Sequence, residues 1–214
     1  MPVRKYIVNL TSRTALLLHH NNIAARDEDG AAGKSGGKAG DDRYPADRWK
    51  RCLYLFGGQL VMPTENVLAS LLKVGGSIAI GGKKTLKAAS QAIYFDDAYL
   101  PLRLKDGRTL NADGLLGIKG DFGTQCDKAT EMGFELFIKP CRVNNKGHIR
   151  VRPRFEQWSV EGSFETDEDD LTTPRIKTLF ETAGRRSGLG DWRPGSPSKP
   201  GPFGTFRAEI EEVE

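Results

Sequence analysis

Two stretches of the chain carry apolar residues at helical spacing. The apolar positions are Val67, Leu68, Leu71 and Leu72 in the first stretch, and Ile176, Leu179, Phe180 and Ala183 in the second. A period of 3.6 residues places each set on one face of a helix. Thr64 is a favourable N-cap for the first stretch, and Thr172 or Thr173 followed by Pro174 suits the start of the second. The pattern therefore predicts helices over 64–74 and 171–183.

Longer stretches alternate between apolar and polar residues, as strands with one buried face do. We predict a first strand from Val3 to His19, bent near Ser12 and Arg13, a strand from His148 to Phe164, and a closing strand from Phe203 to Glu214. With shorter apolar runs between the helices, the main elements follow the order β–α–β–β–α–β. This order predicts an α+β, ferredoxin-like core of the kind that includes RNA-recognition-motif folds.

Two segments do not fit this core. Residues 27–42 consist largely of Gly, Ala, Lys and Asp and offer no apolar anchor, so we predict a flexible insertion there. Residues 80–133 contain many glycines and few long apolar runs, and we interpret them as a protruding insertion. The chain is predicted to form one domain, 1–214, interrupted by these two segments.

The composition limits the class of protein. The chain has 214 residues, of which 38% are hydrophobic, and it has no run of about 18 apolar residues that could span a membrane. Its first residues, MPVRKYIVNL, lack the apolar stretch of a signal peptide. The three cysteines, Cys52, Cys126 and Cys141, have no CxxC spacing, which argues against a disulfide framework or a zinc site. We expect a cytoplasmic protein without membrane, metal or cofactor.

The charge is unevenly distributed. The net charge is only +4, but basic residues concentrate at 43–51, 83–87, 139–154 and 185–207, and acidic residues at 165–170 and 209–214. A basic face opposed by an acidic face is typical of nucleic-acid binding. Ordinary solvated charge is the alternative, and the charge alone does not decide between them.

Three arginines at alternate positions, Arg150, Arg152 and Arg154, form an arginine ladder in the predicted strand from His148. Alternate residues of a strand point to the same face. This face cannot be an unpaired core, because burying unpaired charge costs too much free energy. The ladder must therefore face solvent, acidic groups or phosphate, and we favour phosphate.

The stretch 183–207, AGRRSGLGDWRPGSPSKPGPFGTFR, is rich in glycine and cations, and we call it the glycine loop. Exposed amides beside arginines attract anions, and glycine lets backbone approach a ligand closely. The loop contains no GxxxxGK[ST] or strand-linked GxGxxG fingerprint, so an ordinary surface linker is the alternative. The candidate nucleic-acid contacts here are Arg185, Arg186, Trp192 and Arg193.

Other candidate contacts lie elsewhere in the chain. Lys83 and Lys84 follow a Gly-Gly turn and could contact phosphate. Trp49, Trp158 or Trp192 could stack on a base, which is worth about 1–3 kcal/mol per base. We predict a groove with the arginine ladder on one side and the arginines of the glycine loop on the other.

Three histidines are candidates for acid–base catalysis. His19 and His20 stand at the end of the predicted first strand, and His148 begins a later one. A histidine in such a position is more often plain polar surface, and no partner geometry can be inferred. Metal catalysis is less favoured, because the acidic pairs at 41–42 and 96–97 fall in poorly patterned loops.

Separate blocks of the chain resemble a known superfamily. The segment GGQLVMPTENVLASLL and the glycine loop, AGRRSGLGDW…GPFGTF, resemble parts of the RAMP superfamily, the backbone proteins of CRISPR effector complexes. The combination VRPRFEQWSV…GLGDWRP…GPFGTF is also similar to uncharacterised proteins of phages and mobile elements. The RAMP resemblance implies an RNA-recognition-motif-like core, a protruding thumb, which would be 80–133, and a groove for single-stranded nucleic acid, often occupied by repeated copies.

These observations favour a non-catalytic protein that binds single-stranded RNA or DNA independently of sequence, in which copies of the chain could follow one strand. A metal-independent endoribonuclease of the same fold is the alternative, with His19, His20 or His148 as acid or base. A protein-interaction module, such as an inhibitor of a nucleic-acid machine, also stays open.

Overall fold

The computed structural model describes residues 2–20, 40–143, 145–197 and 199–213. Most of the predicted flexible insertion, 27–39, lies outside the described residues. Its last residues are described, and there Asp41 and Asp42 are buried. Within the described ranges, no α-helix has the length and apolar character needed to cross a bilayer.

The described residues form strands and helices in the following order. The strands are β1 Arg4–Ser12, β2 Leu16–Leu17, β3 Leu55–Phe56, β4 Gln59–Pro63, β5 Ala79–Gly81, β6 Lys84–Thr85, β7 Tyr94–Phe95, β8 Tyr99–Pro101, β9 Arg103–Leu104, β10 Glu135–Val143, β11 Lys146–Phe155, β12 Trp158–Thr166 and β13 Phe206–Val213. The α-helices are α1 Thr64–Gly75, α2 Leu86–Ala89, α3 Ala112–Leu116, α4 Phe122–Glu131 and α5 Thr173–Arg186. Two 3₁₀ helices cover Arg48–Cys52 and Ser90–Ala92.

The chain divides into two compact units. The first consists of Met1–Leu16, Val61–Thr109 and Glu156–Glu214, and the second of Leu17–Leu60 and Leu110–Phe155. The sequence predicted one domain over 1–214 with a thumb-like insertion over 80–133. In the structure, residues 80–109 belong to the first unit and 110–133 to the second.

The first unit contains the main antiparallel sheet. Its strand order is β13–β1–β12–β7, and β9 also pairs with β12. The first strand of the chain thus lies between the last strand and β12, which is the arrangement of a ferredoxin-like fold. Tyr6, Val8 and Leu10 of β1 are buried, as period-two alternation predicts for one face of a sheet.

Helices α1 and α5 pack against each other in the first unit, which agrees with the prediction that they share one side of the sheet. Phe180 of α5 stacks on Phe164 of β12, with ring centroids 5.5 Å apart, and Phe164 stacks on Tyr6 at 5.2 Å. All three rings are fully buried. Burying one such side chain stabilises a fold by about 1.5–3 kcal/mol, so this stack fixes α5 to the sheet.

The N-terminus of α5 begins as the sequence predicts, and that of α1 differs by one residue. Thr172 occupies the N-cap of α5, and Pro174 lies in its first turn, as predicted. In α1 the N-cap is Pro63, so Thr64 is the first helical residue and not the cap. The Thr64 hydroxyl instead donates a hydrogen bond to the carbonyl oxygen of Ala98 at 3.0 Å.

The second unit is built around a three-stranded sheet in the order β10–β11–β2. Its aromatic core consists of Trp49, Phe134 and Phe155, with centroids 5.6 Å apart for the first pair and 5.4 Å for the second. The Trp49 indole N–H donates to Gln125 Oε1 of α4 at 2.7 Å. A buried indole nearly always needs such a partner, so this bond ties α4 to the 3₁₀ helix.

Several predicted strand boundaries are wrong. The predicted strand from His148 to Phe164 is two strands, β11 and β12, separated by Glu156 and Gln157. The predicted first strand stops at Ser12, with only the short β2 beyond it, and the closing strand begins at Phe206. The apolar positions change from odd residue numbers in β11 to even ones in β12, so this shift in phase was a sequence signal of the turn that the prediction overlooked.

Candidate nucleic-acid interface

The arginine ladder of β11 faces acidic side chains. Arg152 is buried, with 7% of its surface exposed, and lies in an ion pair with Asp42. Arg154 lies directly opposite Glu135 of β10, and its Nη1 donates to Glu135 Oε2 at 2.5 Å. The charge is therefore paired, as the cost of burying arginine requires. Phosphate contacts by this ladder stay a prediction.

Asp42 is held in place by backbone hydrogen bonds to β11. Its amide donates to the Ile149 carbonyl at 2.8 Å, and the Ile149 amide donates to the Gly40 carbonyl at 2.7 Å. His148 packs so closely against Gly40 that a Cβ at that position would lie 2.6 Å from the imidazole Nδ1. This strand-like contact brings a carboxylate to the side of β11 that carries Arg150 and Arg152.

The Asp42 carboxylate lies among three guanidinium groups. Arg150 Nη1 is 3.1 Å from its Oδ1, Arg152 Nη1 is 3.2 Å from its Oδ2, and Arg48 Nη1 is 3.7 Å from Oδ1. Its side chain is only 8% exposed. Shared hydrogen bonds and charge therefore hold the three arginines in one place.

These residues line a cavity of about 320 Å³ in the second unit, which we call the arginine pocket. Its lining consists of His19, His20, Asp42, Arg48, Arg51, Cys52, Arg150 and Arg152. Arg48 and Arg51 come from the 3₁₀ helix, where residues three apart lie one above the other. The pocket thus combines a helix edge with the charged face of a strand.

The charge of the arginine pocket is strongly positive. Four guanidinium groups and one carboxylate line it, so its formal charge is +3 with both histidines neutral. Arginine keeps its proton at any ordinary pH, and its planar fork suits carboxylate and phosphate oxygens. Arg51 forms no ion pair with any described residue. The arrangement is chemically suited to bind an anion.

Asp41, the neighbour of Asp42, is engaged with Arg43. The Arg43 guanidinium donates from Nε to Oδ1 at 3.0 Å and from Nη2 to Oδ2 at 2.8 Å. This bidentate hydrogen bonding raises the pKa of Arg43 above its ordinary value. A second carboxylate therefore lies beside the pocket without lining it.

Two of the three candidate histidines line the arginine pocket. The backbone amide of His20 donates to the carbonyl of Cys52 at 3.0 Å, and the Tyr54 hydroxyl donates to the carbonyl of His19 at 3.3 Å. The Tyr54 ring also meets the His20 ring edge-on, with centroids 4.5 Å apart. His148 does not line the pocket.

The glycines of the glycine loop approach the protein's own backbone. A Cβ at Gly184 would lie 2.2 Å from the Phe206 carbonyl oxygen, one at Gly201 2.2 Å from that of Trp192, and one at Gly204 1.8 Å from that of Leu189. We expected glycine here to let a ligand approach. In the structure these three positions instead allow backbone segments of the same unit to pack closely.

The cations of the glycine loop differ in environment. Arg185 and Arg186, at the end of α5, are exposed and form no ion pair with any described residue. Arg193 is half-buried and donates to the Gly190 carbonyl at 2.7 Å, and Trp192 is half-buried with a φ of 45°. These residues belong to the first unit and the arginine ladder to the second, and the groove between them stays a prediction.

The other candidate contacts, two lysines and two tryptophans, do not line the arginine pocket. Lys83 and Lys84 are exposed in and beside the β5–β6 hairpin of the first unit. Trp49 is 0% exposed and Trp158 2%, so neither ring can stack on a base in this structure. The predicted role of Trp49 is not supported, because its indole fills the core of the second unit.

Sequence reasoning missed Arg48, Arg51 and Asp42 as members of the site. The spacing of the two arginines, three residues apart within the basic cluster 43–51, was the available signal. Nothing in the sequence indicated that Asp42 would pair with β11, because the two are more than 100 residues apart along the chain.

Comparison with known proteins finds similarity among solved structures only. No family model matches the chain, and no curated protein does. Among solved structures it is similar to a chain in the cryo-EM structure of the Type III-B Cmr-beta bound to cognate target RNA, with a TM-score of 0.50 and 14% identity. The match covers 99% of this chain, which spans 61% of the length of the other. Together with the strand order, this likeness supports an α+β fold of the ferredoxin-like type.

Proposed function

We propose that this protein binds single-stranded nucleic acid, with RNA preferred, through its phosphates and without cleaving it. The observation that carries the proposal is the arginine pocket, in which Arg48, Arg51, Arg150 and Arg152 face one cavity. Phosphate contacts carry no sequence information, so binding through them is independent of sequence.

Two further observations support nucleic acid as the anion. The structurally similar chain belongs to a Cmr-beta complex that is bound to cognate target RNA. Exposed cations outside the arginine pocket, at Arg185 and Arg186 and at Lys83 and Lys84, offer additional phosphate contacts. We include Arg154, Arg193 and Trp192 in the proposed contact set, with Trp192 stacking on a base, and we propose that copies of the chain bind side by side along one strand.

A second candidate function is metal-independent RNA cleavage. The observation that favours it is that His19 and His20 line the same pocket as the four arginines. Histidine can exchange a proton with a ribose hydroxyl or a leaving oxygen near neutral pH, and a guanidinium can stabilise the charge that develops on the phosphate.

The test is a binding titration with labelled RNA and DNA single strands of mixed sequence over a range of salt concentrations. The double variant Arg51→Gln/Arg150→Gln removes two cations and leaves Asp42 paired with Arg152 and Arg48. If each arginine neutralises one phosphate, the slope of log affinity against log salt should flatten by roughly 1.4.

The matched control is Arg142→Gln. Arg142 is an exposed cation of β10 in the same unit and does not line the arginine pocket. The Arg142→Gln variant should leave the slope of log affinity against log salt nearly unchanged. If the double variant binds like the wild type, the pocket is not the binding site. If strands are cut in the presence of EDTA, the second function replaces the first. If no strand binds at all, the protein acts as a protein-interaction module.

A further inference from the structure

We propose that the arginine pocket binds the terminal phosphate of a strand, a phosphomonoester, more tightly than a phosphodiester within the strand. This inference rests on the proposed function and specifies which group of the nucleic acid enters the pocket. It is drawn from the volume, the charge and the hydrogen-bond donors of the pocket.

The volume suits one end group. At about 320 Å³, the arginine pocket lies near the lower end of the roughly 300–1,000 Å³ range of small-molecule sites. Such a space accommodates a phosphate with its sugar. The lining also converges, because Arg48 and Arg51 come from a 3₁₀ helix and Arg150 from a strand that face the same cavity.

The charge favours a phosphomonoester. An internal phosphodiester carries a single negative charge, whereas a terminal phosphate carries about −1.5 to −2 at neutral pH and has three strong acceptor oxygens. The formal charge of the pocket lining is +3, counted from four arginines and Asp42. A group with two negative charges therefore gains more from the pocket than a group with one.

Hydrogen-bond donors remain for such a ligand. Arg150 donates to Asp42 only from Nη1, and Arg48 donates only from Nη1, to the Asp41 carbonyl at 3.2 Å. Each guanidinium has five N–H donors. The remaining donors of Arg48 and Arg150, and all of those of Arg51, have no acceptor among the described residues. Asp42 thus orients the arginines and leaves most of their donors available.

The experiment uses the full chain and one short oligonucleotide of mixed sequence in three forms: phosphorylated at the 5′ end, phosphorylated at the 3′ end, and with hydroxyls at both ends. One phosphorylated form should bind roughly tenfold tighter than the hydroxyl form, because it adds charge-assisted hydrogen bonds. Arg51→Gln and Arg48→Gln should each reduce this preference, and Arg142→Gln should keep it.

The remaining outcomes separate this inference from the proposed function. If all three forms bind equally and Arg51→Gln weakens them alike, the protein binds strands but the pocket does not recognise an end. If a nucleoside monophosphate binds as tightly as the phosphorylated strand, the pocket is a site for free nucleotides and the assignment to a strand end is wrong. If no form binds, the proposed function fails as well.

Discussion

Replacing Gly204 by alanine tests how the glycine loop is built. Gly204 has a φ of 69°, in the left-handed region, and a Cβ there would lie 1.8 Å from the carbonyl oxygen of Leu189. Two backbone hydrogen bonds meet at this residue. Its amide donates to the Ala15 carbonyl at 2.7 Å, and its carbonyl accepts from the Leu189 amide at 2.9 Å.

The expected loss of stability has two parts. A non-glycine residue in the left-handed region costs about 1–2 kcal/mol. The overlap with the Leu189 carbonyl cannot be relieved by a side-chain rotation, so the backbone must move and weaken the hydrogen bonds to Leu189 and Ala15. A buried polar group that loses its partner costs about 1–3 kcal/mol. We therefore expect Gly204→Ala to destabilise the protein by about 2–5 kcal/mol.

Urea unfolding of the purified variants measures this loss, and Gly107→Ala is the matched control. Gly107 lies in the same unit and has a φ of 82°, but no atom lies within 4 Å of the point that a Cβ would occupy there. It should therefore show only the backbone cost of about 1–2 kcal/mol. If both variants lose the same free energy of unfolding, close backbone packing does not explain Gly204.

Three further predictions concern single residues. Trp49→Phe removes the indole donor to Gln125, and it should lower the free energy of unfolding in urea by about 1–3 kcal/mol; an unchanged value would contradict the buried hydrogen bond. Asp121 caps α4, and the hydrogen bond from the Thr124 amide lowers its pKa below the ordinary 3.8. The stability that the Asp121 carboxylate adds to the folded protein is therefore fully present above pH 3.8 and is lost as the pH falls through the lowered pKa. The difference in thermal midpoint between wild type and Asp121→Ala should shrink over that lower pH range. Burial raises the pKa of the Cys126 thiol above 9.0, so its alkylation rate, followed by mass spectrometry of its peptide, should rise with a midpoint above pH 9.0 and not below it.

The sequence allowed the main elements to be predicted because their signals are local. The apolar stripes of α1 and α5 and the alternation in β1 each lie within one short stretch, and the order of these elements indicated the ferredoxin-like core. The turn at Glu156 and Gln157 was missed, because the apolar residues on its two sides were joined into one strand although their alternation changes phase there.

The candidate site was less predictable because it depends on distant contacts. Alternation correctly placed Arg150 and Arg152 on one face of β11, and their charge excluded an unpaired core. Which acid would pair with them depended on Asp42, which reaches β11 only through the fold. In the same way, the glycines at 184, 201 and 204 were visible in the sequence, but the backbone that each one approaches was not.

The pairing of β1 with β13 has a consequence for synthesis on the ribosome. β1 is an inner strand of the main sheet, and Lys5 pairs with Val213. During translation β1 emerges well before β13, so the edge of β1 that pairs with β13 stays unpaired until β13 has left the exit tunnel. The first unit therefore completes its sheet only after synthesis of β13, and a nascent chain has to protect the edge of β1 from aggregation until then.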